Sequence, residues 1–534
     1  MPRGLFDIDW RSPRPGGPRE IYARDPHLHG SAQWADAAHL ISRGYGPGGH
    51  VPLGWLPADD AAAGATELSY DGRRHLMTIA PTRAGKSVAV CVPALMHHQG
   101  STVVIDAKDA ELATITARYR RDILGQSLVL FDPCDLVASA HDEAPSAINP
   151  LDLVDLEGDD PFDAAFEIAN ALSVPIKNMD SFWNTEATAL ITGIILGVAA
   201  ERGRISLVED GIMQHRADLG RVRDILSLDY EALNAWLETC QASPHALVRN
   251  MASRFLGKAD RERSAVLSTA HSQTHFLESD RLRASLAKTT IDLQAIGEQC
   301  SIYIVLPFDK HGVASRWVRL LVVSLLKAIT RLEVKPSQPV YFLLEEMAAL
   351  GKLDAVEKAY GLMAGYGIQL HAIIQDLSQL KDIYGERWQT FPANAGTIQT
   401  FGTNDVFTAD YISKLCGMES VELLSRDTSE VRASVSGDPS YFTAADQVVG
   451  RPLIRPEEMM SLHPAVQIIK PANAWPILGF KDVYYLEARY RDRRGRPLFS
   501  VHPDHQDKSL PRPVDFAKAG LDLGALLDQH IKVG

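Results

Sequence analysis

The chain has 534 residues, of which 46% are hydrophobic and 23% are charged, a composition that is ordinary for a globular protein of about three domains. Its formal net charge of −13 excludes a surface that is basic throughout, so any contact with nucleic acid must be confined to a channel or a patch. The five cysteines are scattered and form no Cys-x-x-Cys pair, which argues against a zinc site and against a disulfide framework. A reducing compartment, the cytosol, is the natural expectation.

The N-terminal region predicts neither a signal peptide nor a folded domain. Residues 1–30 are rich in proline, glycine and arginine and contain no apolar run, so we predict an extended arm over residues 1–40. The most apolar stretch of the chain, ATALITGIILGVAA at 187–200, is shorter than the roughly 20 residues that cross a bilayer. We predict that it is a buried helix; the alternative is a helix that contacts a membrane or a partner.

Short apolar runs, each followed by turn residues or a helical pattern, predict strands that are buried on both faces of a parallel sheet. These runs are HLMTIA (75–80), STVVID (101–106), QSLVLFDP (126–133), CSIYIVLPF (300–308), PVYFLLEE (339–346), LHAIIQD (370–376) and TIQTFGT (397–403). Residues 161–295 show almost only helical patterns, and Asp160 followed by Pro161 marks a helix start. The sequence therefore predicts one α/β domain, formed by residues 41–160 and 296–488, that is interrupted by an all-α inserted domain over residues 161–295.

Two further segments are polar. Residues 424–448 lack a periodic pattern and predict a mobile loop. The predicted C-terminal tail, residues 489–534, opens with the arginine-rich stretch RYRDRRGRP. A solvated turn between strands is one interpretation of this stretch, since charge runs are usually solvated, and a small contact with an anion or nucleic acid is the other.

The stretch APTRAGKS at 80–87 raises the question of a nucleotide site. A P-loop needs backbone N–H groups at a helix N-terminus, a lysine that reaches the terminal phosphates and a hydroxyl that holds magnesium. Ala80 stands where the motif usually has glycine, and alanine is acceptable there if its φ stays negative. The strand before this loop and the apolar helix pattern after it favour a P-loop over a chance string. The residues predicted to bind the nucleotide are Thr82, Arg83, Ala84, Gly85, Lys86, Ser87 and Val88.

Two other predicted strand ends supply matching polar groups. The strand VYFLL is followed by Glu345 and Glu346, and in P-loop ATPases one such acid holds magnesium while a second orients the attacking water. We assign magnesium to Ser87 and Glu345, and activation of water to Glu346. Gln375 ends another strand and is predicted to sense the γ-phosphate. The alternatives are two solvent-facing acids and an ordinary helix that is capped by the next residue, Asp376.

Several motifs, in order, make the chain resemble the type IV secretion coupling proteins, the TraG-like conjugative DNA-transfer ATPases. The matching stretches include HGSAQWAD (29–36), APTRAGKSV (80–88), VVIDAKDAEL (103–112), INPLD (148–152), FLLEEMAALGKLD (342–354), GLMAGYGIQL (361–370), QDLSQLKDIYG (375–385), FGTNDVFTADYISKLCG (401–417) and RPLIRPEEMMSL (451–462). They cover about residues 29–490. In this family Ala-Pro-Thr-Arg is common in the P-loop, whereas Glu345 departs from the more usual aspartate.

The resemblance implies a RecA-like P-loop nucleotide-binding domain that uses ATP and Mg²⁺, in a hexameric ring with its sites between subunits. The helical insertion would help recruit relaxase–DNA complexes or effector proteins, and single-stranded DNA is a further possible partner of the protein. A positive residue from a neighbouring subunit would stabilise the transition state, and Arg73, Arg74 and Arg83 are candidates for it.

Family members normally begin with transmembrane helices, which this sequence does not show. Either the chain is naturally a soluble form, or an anchor was removed or is supplied by another protein. The expectation is a cytoplasmic chain that is peripheral at the inner membrane through partners, among them the other secretion components. The functional prediction is an ATPase that couples hydrolysis to the recruitment and translocation of DNA or protein. The alternative is a soluble recruitment adaptor of the same fold that binds nucleotide but hydrolyses it little.

Overall fold

The computed structural model describes residues 28–57, 65–174, 181–202, 205–208, 211–214, 217–307, 311–423 and 447–500. Three predictions from the sequence fall largely outside these ranges: most of the N-terminal arm, nearly all of the loop predicted at 424–448, and the tail beyond residue 500.

The centre of the molecule is a set of parallel strands within an 11-stranded sheet. The parallel strands are β3 (His75–Ile79), β4 (Thr102–Asp106), β5 (Ser127–Phe131), β8 (Cys300–Val305), β9 (Val340–Leu344), β10 (Ile368–Ile374) and β11 (Ala395–Thr400). They lie in the spatial order β11-β3-β10-β9-β4-β8-β5. Each corresponds to one of the runs that predicted a strand, so the prediction of a parallel central sheet in an α/β fold is confirmed.

Burial on both faces explains why these runs are continuously apolar. In β3, Met77 and Ile79 join the core on one face of the sheet, while Leu76 and the following Ala80 join the core on the other. All five residues of β3 are buried, as are all five of β9.

Beside β11 the sheet continues through strands that the sequence did not predict. These are β1 (Val51–Leu56), β2 (Thr66–Tyr70), β14 (Val466–Pro471) and β15 (Ile477–Phe480). They are antiparallel and extend the sheet in the order β11-β14-β15-β1-β2. The two ends of the described chain therefore meet in this part of the sheet, because β1 and β2 come from its start and β14 and β15 come from its end.

Helices cover the sheet and form a separate block between β5 and β8. Those around the sheet are α1 (Ala37–Ser42), α2 (Val92–His97), α3 (Glu111–Asp122), α11 (His311–Thr330), α12 (Asp354–Leu362), α13 (Leu377–Tyr384), α14 (Thr390–Asn394), α15 (Val406–Cys416) and α16 (Pro456–Met460). A further two-stranded sheet pairs β12 (Met418–Leu423) with β13 (Gln447–Pro452).

The block between β5 and β8 consists of α4 (Pro161–Leu172), α5 (Ser181–Ala200), α6 (Leu219–Leu226), α7 (Tyr230–Gln241), α8 (Ala246–Leu256), α9 (Asp260–Thr274) and α10 (Asp280–Ser285). It is not purely helical, because β6 (Ile205–Val208) and β7 (Gly211–Gln214) form a hairpin within it. The hairpin departs from the expectation of an all-α insertion. Each of its strands has only four residues, so the sequence around it still shows mainly a helical pattern. The boundaries of the inserted domain stay a prediction.

Helix α5 is the centre of this block. It packs against α4, α8 and α9, and Ile191, Ile194 and Ile195 on it are fully buried. By length and composition α5 could cross a membrane, but 67% of its most apolar window is buried inside the protein. Its apolar character is therefore explained by the packing of neighbouring helices around it.

Two local predictions can be compared with the structure. The helix start at Asp160 and Pro161 is confirmed, because α4 begins at Pro161, but the Asp160 carboxylate makes no capping hydrogen bond and instead pairs with Arg331 at 3.0 Å and Lys327 at 3.4 Å. The predicted solvated turn at 489–496 is wrong for its first arginine. Arg489 is largely buried and pairs with Asp482 at 2.6 Å and with Glu67 at 2.5 Å. Lys327 on α11 and Arg331 just after it attract Asp160, and the carboxylates of Asp482 and Glu67 attract Arg489.

Candidate nucleotide-binding site

The polar groups predicted from separate strand ends meet at one edge of the sheet. Strands β3, β10, β9 and β4 are parallel neighbours, so their carboxyl ends lie side by side. The P-loop follows β3, Gln375 follows β10, Glu345 and Glu346 follow β9, and Lys108 follows β4. The carboxyl edge of a parallel sheet is where α/β proteins bind ligands.

The P-loop has the backbone of a tight turn. Arg83 and Gly85 have φ values of 62° and 87°, on either side of Ala84, and the Ala84 N–H donates to the Pro81 carbonyl at 3.2 Å. Gly85 meets the left-handed conformation at no steric cost, whereas Arg83 carries strain of the kind that is concentrated at functional sites. Ala80 is not among the described residues with positive φ, and its N–H donates to Ile374 at 3.0 Å. Alanine therefore fits where the motif usually has glycine.

The helix after the loop begins with an irregular turn. Ser87–Cys91 is π-helical and continues into α2, which contains Pro93 near its start. Proline has no N–H to donate to the residue four positions earlier, so the wider π turn accommodates it. The predicted apolar helix is confirmed, and the first N–H groups of this helix, which have no intrahelical acceptor, lie beside the loop.

Lys86 and Glu346 form the centre of the site. Lys86 Nζ lies 2.9 Å from Glu346 Oε1, and Lys86 is only 4% exposed. The other carboxylate oxygen of Glu346 accepts a hydrogen bond from Gln375 Nε2 at 3.0 Å. Glu346 has a left-handed backbone, with φ of 53°, which is a strained conformation for a non-glycine residue. Three of the predicted residues are thus in direct contact.

The second acid contacts the P-loop serine. Ser87 Oγ donates to Glu345 Oε1 at 3.3 Å, and Lys108 Nζ lies 2.5 Å from the same oxygen. Glu345 is 1% exposed, and its Oε2 is buried without a hydrogen-bond partner in the described part of the chain. An orphaned carboxylate oxygen at this depth is costly unless a ligand satisfies it.

The two acids have opposite pKa shifts. Burial raises the pKa of Glu345, and the Lys108 ammonium only partly counteracts this effect. Burial also acts to raise the pKa of Glu346, but Lys86 and the hydrogen bond from Gln375 outweigh it, so the net pKa is lowered. Neighbouring carboxyls with separated pKa values are typical of sites where the two groups have different tasks.

The remaining residues predicted to bind the nucleotide differ in how exposed they are. Thr82 and Arg83 are exposed at the tip of the loop, and Ala84, Gly85 and Val88 are half-buried. Asp376 caps α13, with its Oδ1 accepting from the Gln379 N–H at 2.8 Å, so the structural alternative for that strand end holds beside the proposed sensor. The cap is formed by the residue after Gln375, so the role of Gln375 as a γ-phosphate sensor stays a prediction.

Arg73 and Arg74 are not near the P-loop. They precede β3, at the opposite edge of the sheet, and donate to the carbonyls of Ser337 and Ala393 at 3.4 Å each. Their nearness in sequence is misleading because the whole of β3 separates them from the loop. Of the three candidate arginines, only Arg83 is at the P-loop, because it is itself a residue of the loop.

Sequence reasoning missed two lysines at the site. Lys108 stands two residues after β4, inside a stretch already noted for its resemblance to a family motif, and that position was the available signal. Lys481 lies just after β15 and donates to the Ala84 carbonyl of the P-loop at 3.0 Å. No pattern in the sequence pointed to Lys481, because its closeness depends on the unpredicted antiparallel strands.

The residues present fit a magnesium-bound nucleotide. The hydroxyl of Ser87 and the orphaned Oε2 of Glu345 are hard oxygen donors of the kind that Mg²⁺ prefers. The turn at Gly85, the helix that follows it and the Lys86 ammonium form the cradle that phosphates need.

Comparison with known proteins identifies the family. The family model described as Type IV secretory system Conjugative DNA transfer matches residues 54–507. The chain belongs to the type IV coupling proteins of the TraG family. The coupling protein is 27% identical to the conjugal transfer protein TraG of Escherichia coli over 534 residues, covering 89% of this chain and 79% of TraG. It is 28% identical to VirD4 of Agrobacterium fabrum over 512 residues, covering 92% of this chain and 70% of VirD4.

A solved structure confirms the fold. The plasmid coupling protein TrwB, in complex with a non-hydrolysable ATP analogue, aligns with a TM-score of 0.60 at 15% identity, covering 88% of this chain and 96% of that chain. The RecA-like arrangement of the coupling protein is thus shared with TrwB at low sequence identity.

Proposed function

We propose that this coupling protein is an ATPase that uses ATP binding and hydrolysis to recruit and help translocate DNA, as a relaxase–DNA complex, or protein substrates. The observation that carries the proposal is the convergence of Lys86, Ser87, Glu345, Glu346 and Gln375 at one edge of the sheet. A structural ion pair alone would not require a strained Glu346 backbone or an orphaned Glu345 oxygen.

Each residue of the site has a task that its contacts support. Lys86 and the backbone N–H groups of the loop hold the phosphates, and Ser87 with Glu345 hold Mg²⁺, which when bound neutralises charge on the phosphate oxygens. Glu346 has a lowered pKa, is ionised at neutral pH and can accept a proton from water. Gln375 orients Glu346 through the 3.0 Å hydrogen bond and senses the γ-phosphate.

The assembly and location belong to the same proposal. We infer a homo-hexamer with nucleotide sites between subunits, in which a trans-acting positive residue completes the site. The helical block around α5 would receive the relaxase–DNA complex or effector protein, and partners at the inner membrane would hold the ring. The division into a nucleotide-binding domain and an inserted domain supports this separation of tasks.

Steady-state ATP turnover with and without single-stranded DNA tests the proposal. Turnover that DNA stimulates would support the motor, whereas nucleotide binding without turnover would favour the recruitment adaptor. DNA affinity should fall steeply as salt rises, because contacts to the phosphate backbone release counterions. Binding that does not depend on salt would contradict a channel that tracks phosphates.

A further inference from the structure

Lys481 is a buried cation beside the P-loop. It is 6% exposed, and its backbone is fixed by a hydrogen bond from its N–H to the Ala465 carbonyl at 3.0 Å. In the part of the chain that the structure describes, no carboxylate lies within ion-pair distance of its ammonium. Lysine is rarely buried without a counter-ion, so this placement calls for a functional explanation.

Within the described ranges of the chain, the ammonium makes one hydrogen bond, and it goes to the P-loop. Lys481 Nζ donates to the Ala84 carbonyl at 3.0 Å, across 397 positions of sequence. Ala84 lies between the two left-handed residues Arg83 and Gly85. In a trans peptide the carbonyl and the following N–H are coplanar and point in opposite directions. A carbonyl held toward Lys481 therefore directs the Gly85 N–H away from Lys481.

An aromatic ring completes the surroundings of the ammonium. Lys481 Nζ lies 3.8 Å from the centroid of the Phe401 ring, a distance at which a ring face attracts a cation. Phe401 is fully buried, and its N–H donates to the Ile79 carbonyl at 3.0 Å, at the end of the strand that leads into the P-loop. The ring that contacts the Lys481 ammonium is thus attached, through the Phe401 backbone, to the end of the strand that leads into the P-loop.

We propose that Lys481 is a positioning residue for nucleotide binding: its ammonium fixes the Ala84–Gly85 peptide so that the Gly85 N–H faces the phosphates. This inference rests on the proposed function, because it assigns the source of order in the same phosphate-binding loop. When it is protonated, the buried amine also adds to the potential that attracts a polyphosphate, since little solvent screens it.

Proton exchange gives the proposal a second readout. Burial lowers the pKa of Lys481 to about 7, so its amine is partly neutral near physiological pH. A bound polyphosphate favours the charged form, and wild-type protein should therefore take up a proton when ATP binds at pH 7.5. Lys86, Glu345 and Glu346 in the site and Asp482 beside Lys481 are common to wild type and variant, so the difference in uptake reports Lys481.

The test compares Lys481→Met with Lys470→Met in the full chain. Lys470 lies on the adjacent strand β14 and is a matched control, because it is partly buried and, among the described residues, donates to the Pro471 and Ala474 carbonyls, at 2.7 and 3.2 Å. The measurements are the affinity for a non-hydrolysable ATP analogue with Mg²⁺, the unfolding temperature without nucleotide, and proton uptake from calorimetry in two buffers. A neutral donor, Lys481→Gln, separates the hydrogen bond from the charge.

We expect Lys481→Met to weaken nucleotide binding by about tenfold, the order of effect of losing a charge-assisted hydrogen bond, with less proton uptake and no loss of unfolding temperature. Lys470→Met should stay within about twofold of wild type. Lys481→Gln should bind more tightly than Lys481→Met but also lose the uptake. Equal affinity and equal uptake in wild type and Lys481→Met would overturn the inference, whereas failure of the wild type to bind ATP would overturn the proposed function itself.

Discussion

Lys86 Nζ and Glu346 Oε1 lie 2.9 Å apart although 260 positions of sequence separate the two residues. Parallel pairing of β10 with both β3 and β9 places the ends of these strands at one edge and brings the two side chains together. The ion pair joins Lys86, to which we assign binding of the phosphates, with Glu346, to which we assign activation of the attacking water. Mutating each residue of the pair on its own therefore tests the two assigned roles separately.

Lys86→Ala should reduce ATP turnover by about 10²-fold or more, because the main cation for the phosphates is lost. The fold should remain, since Glu346 keeps its hydrogen bond from Gln375. A coupled phosphate-release assay and the unfolding temperature measure the two effects. Lys352→Ala is the control, because Lys352 is about half exposed and lies 3.7 Å from Asp354 on the surface. Normal turnover in Lys86→Ala would refute the site assignment.

Glu345→Gln and Glu346→Gln should have different effects. Glu346→Gln should still bind ATP with Mg²⁺ but lose turnover by about 10²–10⁴-fold, the usual contribution of a general base. Glu345→Gln should weaken the dependence of ATP affinity on Mg²⁺, because a neutral amide is a poorer ligand for that ion. Titrations of Mg²⁺ at fixed nucleotide distinguish the two variants. Identical Mg²⁺ titration curves for both variants would contradict the separate roles.

Glu487 should make the stability of the protein fall as pH rises. Burial, and next the Asp482 carboxylate, raise the pKa of Glu487 to about 9, while Trp55 Nε1 donates to it at 3.0 Å. The folded state therefore holds this proton more tightly than the unfolded state, whose pKa is near 4.5. The resulting stabilisation is fully present below pH 4.5 and is lost progressively up to about pH 9.

Glu487→Gln tests this pH dependence, because the amide keeps the shape of the side chain and does not ionise. Between pH 6 and pH 9 the unfolding temperature of wild type should fall more than that of the variant, by roughly 2 °C or more. Parallel curves for the two proteins across this window would show that Glu487 is already ionised in the folded state.

Gly197 allows close packing in the helical block. A Cβ at this position would lie 2.7 Å from Cη2 and 2.9 Å from Cζ2 of Trp236, so Gly197→Ala should destabilise the protein by about 1–3 kcal/mol through overpacking. Gly361→Ala on α12 is the control, since a Cβ there meets nothing within 4 Å, and it should be neutral or slightly stabilising. Unfolding by heat or urea measures both. Equal stability of the two variants would contradict the packing described for α5.

The parallel strands could be predicted because burial on both faces leaves a continuous apolar run in the sequence. The antiparallel strands could not. Strand β1 contains Pro52 and Gly54, and its pairing with β2 shifts register between these residues, so no clean period survives. Strand β15 has only four residues, Ile477–Phe480.

The candidate site could be predicted where each polar group follows a strand that is itself recognisable. Ser87, Glu345, Glu346 and Gln375 meet this condition, and the fold brings them together. Lys481 does not meet it, because it reaches the P-loop only through strands that lack a pattern. Arg489 was expected at the surface because neighbouring charges in sequence resemble a solvated run, but its acidic partners come from distant parts of the chain.

The central claim, that ATP binds between the P-loop and the two glutamates, is tested most directly by titrating the full chain with a non-hydrolysable ATP analogue and Mg²⁺. We predict one saturable site per chain in the wild type, binding that depends on Mg²⁺, and loss of that binding in Lys86→Ala at an unchanged unfolding temperature. Binding of equal strength in wild type and Lys86→Ala, or no binding by a folded wild type, would contradict the account.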